Sequence, residues 1–284
     1  MRFIHSLSTR PLFIDLYNTS SLKRLVGNIA YYALSFAYLK RLNQTVVLHT
    51  DSLGKSLLSF IPYDEIHLTA DDIPDSVSPR FWAAAKMYAI EKEQLGAIHI
   101  DGDVFIKSKK CLDIIENSEY DVLVQTIEKE KWSKPYYVEF DYFENERDYL
   151  KQNNLELGIY GAYNTGILSF NNKKLKDDFI KGYKNIVTHH SSLYKHQLLT
   201  DKSRTPDLLA EQTNIYQLSK DYNVKVLIEE NDKPILDRCN EIGYQHVITV
   251  AKFNQLDKCL DTLKQIDIEL YNKTYKLCHN ILKK

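Results

Sequence analysis

Between residue 1 and residue 103 the chain alternates between two hydrophobic periods, and this alternation restricts its fold more than any other feature. Thr45-Val46-Val47-Leu48-His49 is a β-branched run bounded by polar residues. Glu65-Ile66-His67-Leu68 and Gly96-Ala97-Ile98-His99-Ile100 are two more short runs, and Phe3 to His5 fits a short first strand. Between them, residues 25–42 carry Ile29, Tyr32, Ala33, Phe36 and Leu39 at helical spacing. Residues 52–60 read as a shorter helix. Residues 79–94 return to helical period, with Ser78 placed to cap and Pro79 at the first helical position. Strands that alternate with helices predict an α/β domain, a mostly parallel sheet with helices on both faces. Ligands of such sheets bind beyond the carboxyl ends of the strands, and the run 96–100 ends there on Asp101.

The second half is less regular. Residues 120–126, 162–170 and 224–228 read as strands, and residues 174–187 and 206–221 as helices. Residues 127–162 form a long aromatic and acidic stretch, including Trp132, Tyr136, Tyr137, Phe140, Tyr142 and Phe143, of the length that binding loops and lids take. From Leu256 onward, Leu260, Leu263, Leu270, Leu277 and Ile281 predict a long C-terminal helix. The adjacent His189-His190 pair cannot place both rings on one helix face, so it reads as a loop or surface feature.

Charge and cysteine use narrow the function. Acidic residues number 38 and basic residues 37, so no global field points to nucleic acid. Four scattered cysteines without a CxxC pair read as reduced thiols. Residues 1–16 lack the pattern of a signal peptide, and no apolar run approaches the roughly 20 residues that span a bilayer. A cytoplasmic enzyme is the expectation. The C-terminal helix ends on Lys283-Lys284 and offers a surface for peripheral association with the inner face of a membrane, for homodimer contact, or for packing against the domain.

Asp101 and Asp103 are the chemistry-bearing pair. In extended backbone, residues two apart point to one side, and Gly102 permits a tight turn between them. Two carboxylates that converge at a strand end repel unless a cation joins them. Their hard oxygens favour Mg²⁺ or Mn²⁺ over zinc, and such an ion can bridge a diphosphate.

In this setting His99-Ile100-Asp101-Gly102-Asp103-Val104-Phe105-Ile106 resembles the DxD signature of GT-A glycosyltransferases, especially those akin to glycosyltransferase family 8 and bacterial polysaccharide transferases. Three later segments resemble that family in the expected order. They are Asn164-Thr165-Gly166-Ile167-Leu168-Ser169-Phe170-Asn171, Glu211-Gln212-Thr213-Asn214, and His246 in Tyr244-Gln245-His246. The second departs by carrying glutamate for aspartate, and the third lacks the glycine and tryptophan that usually follow the histidine.

The resemblance implies a GT-A-like domain over 1–255, with a nucleotide-binding half (1–106), an acceptor half (107–255) and a C-terminal helix (256–284). It implies a metal-dependent glycosyltransferase of polysaccharide biosynthesis, with a nucleotide-diphospho-sugar donor and a saccharide or lipid-linked acceptor. Asp101, Asp103 and His246 would hold Mn²⁺ or Mg²⁺, with Asp101 also near the donor. Lys86 and Lys252 would meet the phosphates, and Thr9 and Arg10 the nucleotide. Asn164 and Gln212 would position sugar hydroxyls. Glu211 would act near the reacting carbon as base, hydroxyl ligand or electrostatic support. The aromatic segment 130–143 would stack on the acceptor. Rival readings are a sugar-phosphate nucleotidyltransferase, although residues 6–11 hold no glycine loop, and a catalytically inactive GT-A-like binding protein.

Overall fold

The computed structural model describes residues 1–13, 21–128, 161–195, 205–229, 234–247 and 255–283. The aromatic segment 130–143 and Lys252 lie outside the described residues.

The first half builds the expected alternation: β1 (Arg2–Leu7), α1 (Ser21–Arg41), β2 (Thr45–Thr50), α2 (Ser52–Leu58), β3 (Glu65–His67), α3 (Ala84–Lys92) and β4 (Ile98–Ile100). After β4 come β5 (Val104–Ile106), α4 (Lys109–Glu116), β6 (Val122–Glu128) and β7 (Ala162–Phe170). Next are α5 (Lys173–Lys195), an irregular helix α6 over 205–218, β8 (Val224–Val226), α7 (Ile235–Ile242) and β9 (Tyr244–His246). Two helices, α8 (Leu256–Ile266) and α9 (Ile268–Leu282), end the described chain.

Seven strands form one mixed sheet in the order β3-β2-β1-β4-β7-β6-β8. The β3-β2-β1-β4 half is parallel, and β7 runs antiparallel between β4 and β6. β4 and β7 are buried along their whole length, because helices cover both faces. One apolar layer joins α1, α8 and α9 to the sheet through Ile29, Phe36, Leu39, Leu260, Leu263 and Leu270. The other joins α3, α5 and α6 through Met87, Phe179, Tyr183, Leu209 and Ile215. The inner face of α8 and α9 therefore packs against α1.

Three local details differ from the sequence reading. The C-terminal segment is helical as expected but breaks at Asp267, whose side chain accepts from Leu270 N at 2.9 Å and caps a second helix. Ser78 and Pro79 lie in turns before α3 rather than in its first turn. The helix start is instead held by a distant carboxylate, since Ala83 N donates to Asp207 Oδ2 at 3.2 Å. His189 and His190 fall within α5, where His190 is buried and its Nδ1 meets Ile186 O.

Candidate metal centre

Asp101 leaves β4 at the carboxyl end of the parallel half, and its N–H donates to Gly166 O of β7 at 2.9 Å. The chain then turns at Gly102 against the Tyr32 ring of α1, and a Cβ at that position would overlap the ring. Asp103 follows and leads into β5, which pairs with β9 so that Val104 lies opposite His246. Val247 N donates to Asp103 O at 3.0 Å and locks that register. A two-stranded ribbon thus carries His246, 143 positions later in sequence, to the second aspartate. Ligand atoms of Asp101, Asp103 and His246 all lie within 4.8 Å of one another.

The orientation of His246 is set from behind. Its Nδ1 lies 2.8 Å from Gln125 Oε1, an acceptor that also receives the Tyr244 hydroxyl at 2.7 Å. Nδ1 is then the protonated nitrogen, and the Nε2 lone pair faces Asp103 Oδ1 at 3.3 Å. Two acceptors at that separation call for a cation or a proton between them. Partners that fix the tautomer in this way are the usual outer support of a metal-bound imidazole. Gly166 makes room for the arrangement, because a Cβ there would sit 2.6 Å from His246 Nδ1. Gln125→Leu removes the acceptor that fixes the ring, so it is expected to lower Mn²⁺ affinity about 10- to 100-fold, measured by calorimetric titration. Unchanged affinity would remove Gln125 from the site.

Lys86 and Glu211 face each other beneath this cluster. Lys86 is 6% exposed and Glu211 2%. The Lys86 ammonium meets Glu211 Oε1 at 2.6 Å, Asp101 Oδ1 at 2.8 Å and Thr165 O at 3.1 Å. Those three contacts match the three donors of an ammonium. Thr165 Oγ1 donates to the same Glu211 oxygen at 2.6 Å. Withdrawal from water pushes the Asp101 carboxyl above the ordinary aspartate range, with Lys86 opposing the shift and Asp103 adding to it. Lys86 is held above its usual value, burial being outweighed by Asp101 and Glu211.

The irregularity of α6 explains how Glu211 reaches this position. Residues Leu209–Thr213 form a π-helical turn, which inserts a residue and rotates the side chains that follow. Glu211 points inward, whereas its neighbour Gln212 is half-buried. Asn164 receives the N–H of Gly166 at 3.0 Å and donates to Glu128 Oε1 at 3.2 Å. Burial raises the Glu128 carboxyl, with the Asn164 bond opposing.

Thr9 and Arg10 stand elsewhere in the loop after β1. The N–H and hydroxyl of Thr9 both donate to Asp51 Oδ2, at 2.6 and 3.0 Å. Asp51 also caps α2. Arg10 donates to the carbonyls of Ile73, Pro74 and Val77, at 3.3, 3.2 and 2.6 Å. Both residues tie the loop down, and neither is among the groups that gather at Asp101.

Sequence reasoning missed Gln125, Glu128, Thr165, Asp207 and Tyr244. Thr165 was legible as the central residue of Asn164-Thr165-Gly166. Tyr244 stands in the Tyr244-Gln245-His246 segment, whereas Gln125, Glu128 and Asp207 carry no motif and are brought in by sheet pairing and helix packing. Asp207 is buried between Ala83 N and the Tyr183 hydroxyl, the latter at 3.1 Å. Burial, then Glu211, holds its carboxyl well above the usual value.

A raised carboxyl pKa contributes stability that is present below its ordinary range and lost as pH rises toward the folded-state value. Asn at this position can accept from Ala83 and donate to Tyr183 without ionising. Relative to the parent, Asp207→Asn should therefore gain stability steadily as pH rises from the ordinary carboxylate range toward neutrality. Urea unfolding across that range checks it, and parallel stability curves would refute the assignment.

Residues 1–282 match a family described as "Family of unknown function (DUF6734)". No curated protein matches the chain. Among solved structures, the chain is similar to the apo form of mouse xyloside xylosyltransferase 1. The identity is 14%, the match covers 76% of this chain and 80% of that chain, and the TM-score is 0.35.

Proposed function

The chain belongs to the DUF6734 family of unknown function, and from the site itself we propose a metal-dependent glycosyltransferase that moves a sugar from a nucleotide-diphosphate donor to a saccharide or lipid-linked acceptor. The observation that carries this reading is the convergence of ligand atoms of Asp101, Asp103 and His246 to within 4.8 Å of one another. Two carboxylates and an imidazole fit Mn²⁺, and equally Mg²⁺ with water completing the shell. When bound, the ion would neutralise the charge that grows on the leaving diphosphate.

The protein's own groups then divide the remaining work. Lys86 holds the Asp101 and Glu211 carboxylates in place rather than a phosphate, since its three donors are engaged. Glu211, fixed by Lys86 and Thr165, offers a negative charge at the floor of the site. That charge suits a positively charged sugar centre in the transition state. Asn164 and Gln212 stand on the strand and helix that flank it, where they can meet sugar hydroxyls.

Thermal denaturation against a panel of nucleoside diphosphates, each with and without Mn²⁺, tests the proposal. Stabilisation by one nucleotide that requires Mn²⁺ is the expected result. Stabilisation independent of metal would sink the metal assignment, and no stabilisation at all would sink the donor. Release of nucleoside diphosphate rather than pyrophosphate from the matching nucleotide sugar separates sugar transfer from nucleotide transfer.

A further inference from the structure

A concavity of about 640 Å³ lies away from Asp101, at the β3 edge of the sheet. Its wall carries a second group of donors. β2 and β3 pair in parallel with His49 opposite His67, so the two imidazoles stand on one face of neighbouring strands, 5.0 Å apart between ring centres. Glu93, which follows α3, arrives over the same face. One ligand atom from each of His49, His67 and Glu93 lies within 4.8 Å of the other two.

We propose that His49, His67 and Glu93 form a second metal site, selective for Zn²⁺ and separated from the Asp101 cluster by β1. Two nitrogens and one carboxylate oxygen suit zinc, and three protein ligands leave one coordination position for water or a small anion from the concavity. Each ligand already has the outer partner that such a site requires. His49 Nδ1 lies 3.2 Å from Thr69 Oγ1, which leaves Nε2 directed at Glu93 Oε1, 2.8 Å away. His67 Nε2 lies 2.9 Å from Glu65 Oε2, which leaves its other nitrogen for the ion. Arg2 grips Glu93 through Nε at 2.7 Å and Nη2 at 2.9 Å. The same guanidinium binds Glu65 at 2.6 and 3.0 Å.

The electrostatics allow the ion. Two glutamates, Glu65 and Glu93, answer the charge of Arg2 and leave a negative surplus for a divalent cation. His49 is 2% exposed, and Thr69 Oγ1 beside its Nδ1 leaves Nε2 to face Glu93. His67 is 44% exposed on its side chain, so the site opens to solvent on one side and its substitution leaves the core untouched.

The test uses the full chain with the Asp103→Asn change, so that ions at the first cluster do not count. Zn²⁺ in hundredfold excess over its Kd should raise Tm by about 5 °C or more. Co²⁺, used as a spectroscopic probe, should bind one equivalent with visible d–d bands. Adding His67→Asn should weaken Zn²⁺ binding at least about 100-fold and abolish the bands, with the metal-free Tm little changed. Failure of the Asp103→Asn protein to bind Zn²⁺ would overturn the site and leave an ion-pair network of Arg2, His49 and Glu93. Zn²⁺ binding that His67→Asn leaves intact would also overturn it, by placing the ion elsewhere. Neither outcome bears on the nucleotide-sugar reading, which is tested with Mn²⁺ and nucleotide.

Discussion

Replacing Asp103 by asparagine should abolish Mn²⁺-dependent turnover of the nucleotide sugar and leave the fold intact. The substitution keeps the shape of the side chain and removes one full charge from a cluster in which ligand atoms of Asp101, Asp103 and His246 lie within 4.8 Å of one another. Asp103 O, which receives Val247 N in the β5–β9 register, is a backbone atom and is unaffected. The loss should appear in two measurements. Mn²⁺ affinity should fall by more than about 100-fold, because a direct ligand matters more than the outer partners that cost 10- to 100-fold. Turnover should fall at least as far, since the charge of the leaving diphosphate goes unanswered. Full activity with normal Mn²⁺ affinity would refute the metal centre.

Replacing Lys86 by methionine should damage stability as well as function. The ammonium is buried among Asp101, Glu211 and the Thr165 carbonyl. Its removal leaves carboxylates in a site already withdrawn from water, a change that costs about 3–5 kcal/mol when a buried pair is broken. The penalty should depend on pH in a defined direction. Without Lys86, which opposes the upward shift at Asp101, the folded-state pKa of Asp101 must rise further, so the folded protein binds a proton that the unfolded chain has released. Stability lost to the substitution should therefore be smallest in acid and grow as pH rises through that value. Urea unfolding of parent and variant at several pH values measures this. A small and pH-independent deficit would show that the carboxylates find water instead.

Much of the site's first carboxylate pair was legible because its logic is local. Asp101 follows Ile98-His99-Ile100, a run whose burial on both faces marks a central strand, and Gly102 is the residue the turn against Tyr32 demands. The β7 run was legible for the same reason, and its bounds, 162–170, match the sequence reading. Thr9 and Arg10 were legible only as polar residues after a strand. Their partners, Asp51 and the carbonyls of residues 73–77, come from other elements that local sequence cannot place. For Lys86 the sequence shows a basic residue on the helix before the DxD turn, which reads as a phosphate ligand. Only the packing of α3 shows that the ammonium also meets Asp101, Glu211 and the Thr165 carbonyl.

The sequence by itself determined the alternating α/β architecture and the position of Asp101 and Asp103 at a strand end. Hydrophobic period and glycine geometry act over a few residues and are written in order along the chain. Tertiary structure alone decided what surrounds those aspartates. The β5–β9 ribbon brings in His246, the β6 strand supplies Gln125 to fix its tautomer, and the π-helical turn aims Glu211 at Lys86. These are contacts between residues far apart in sequence, set by sheet order and helix packing, and no local pattern encodes them.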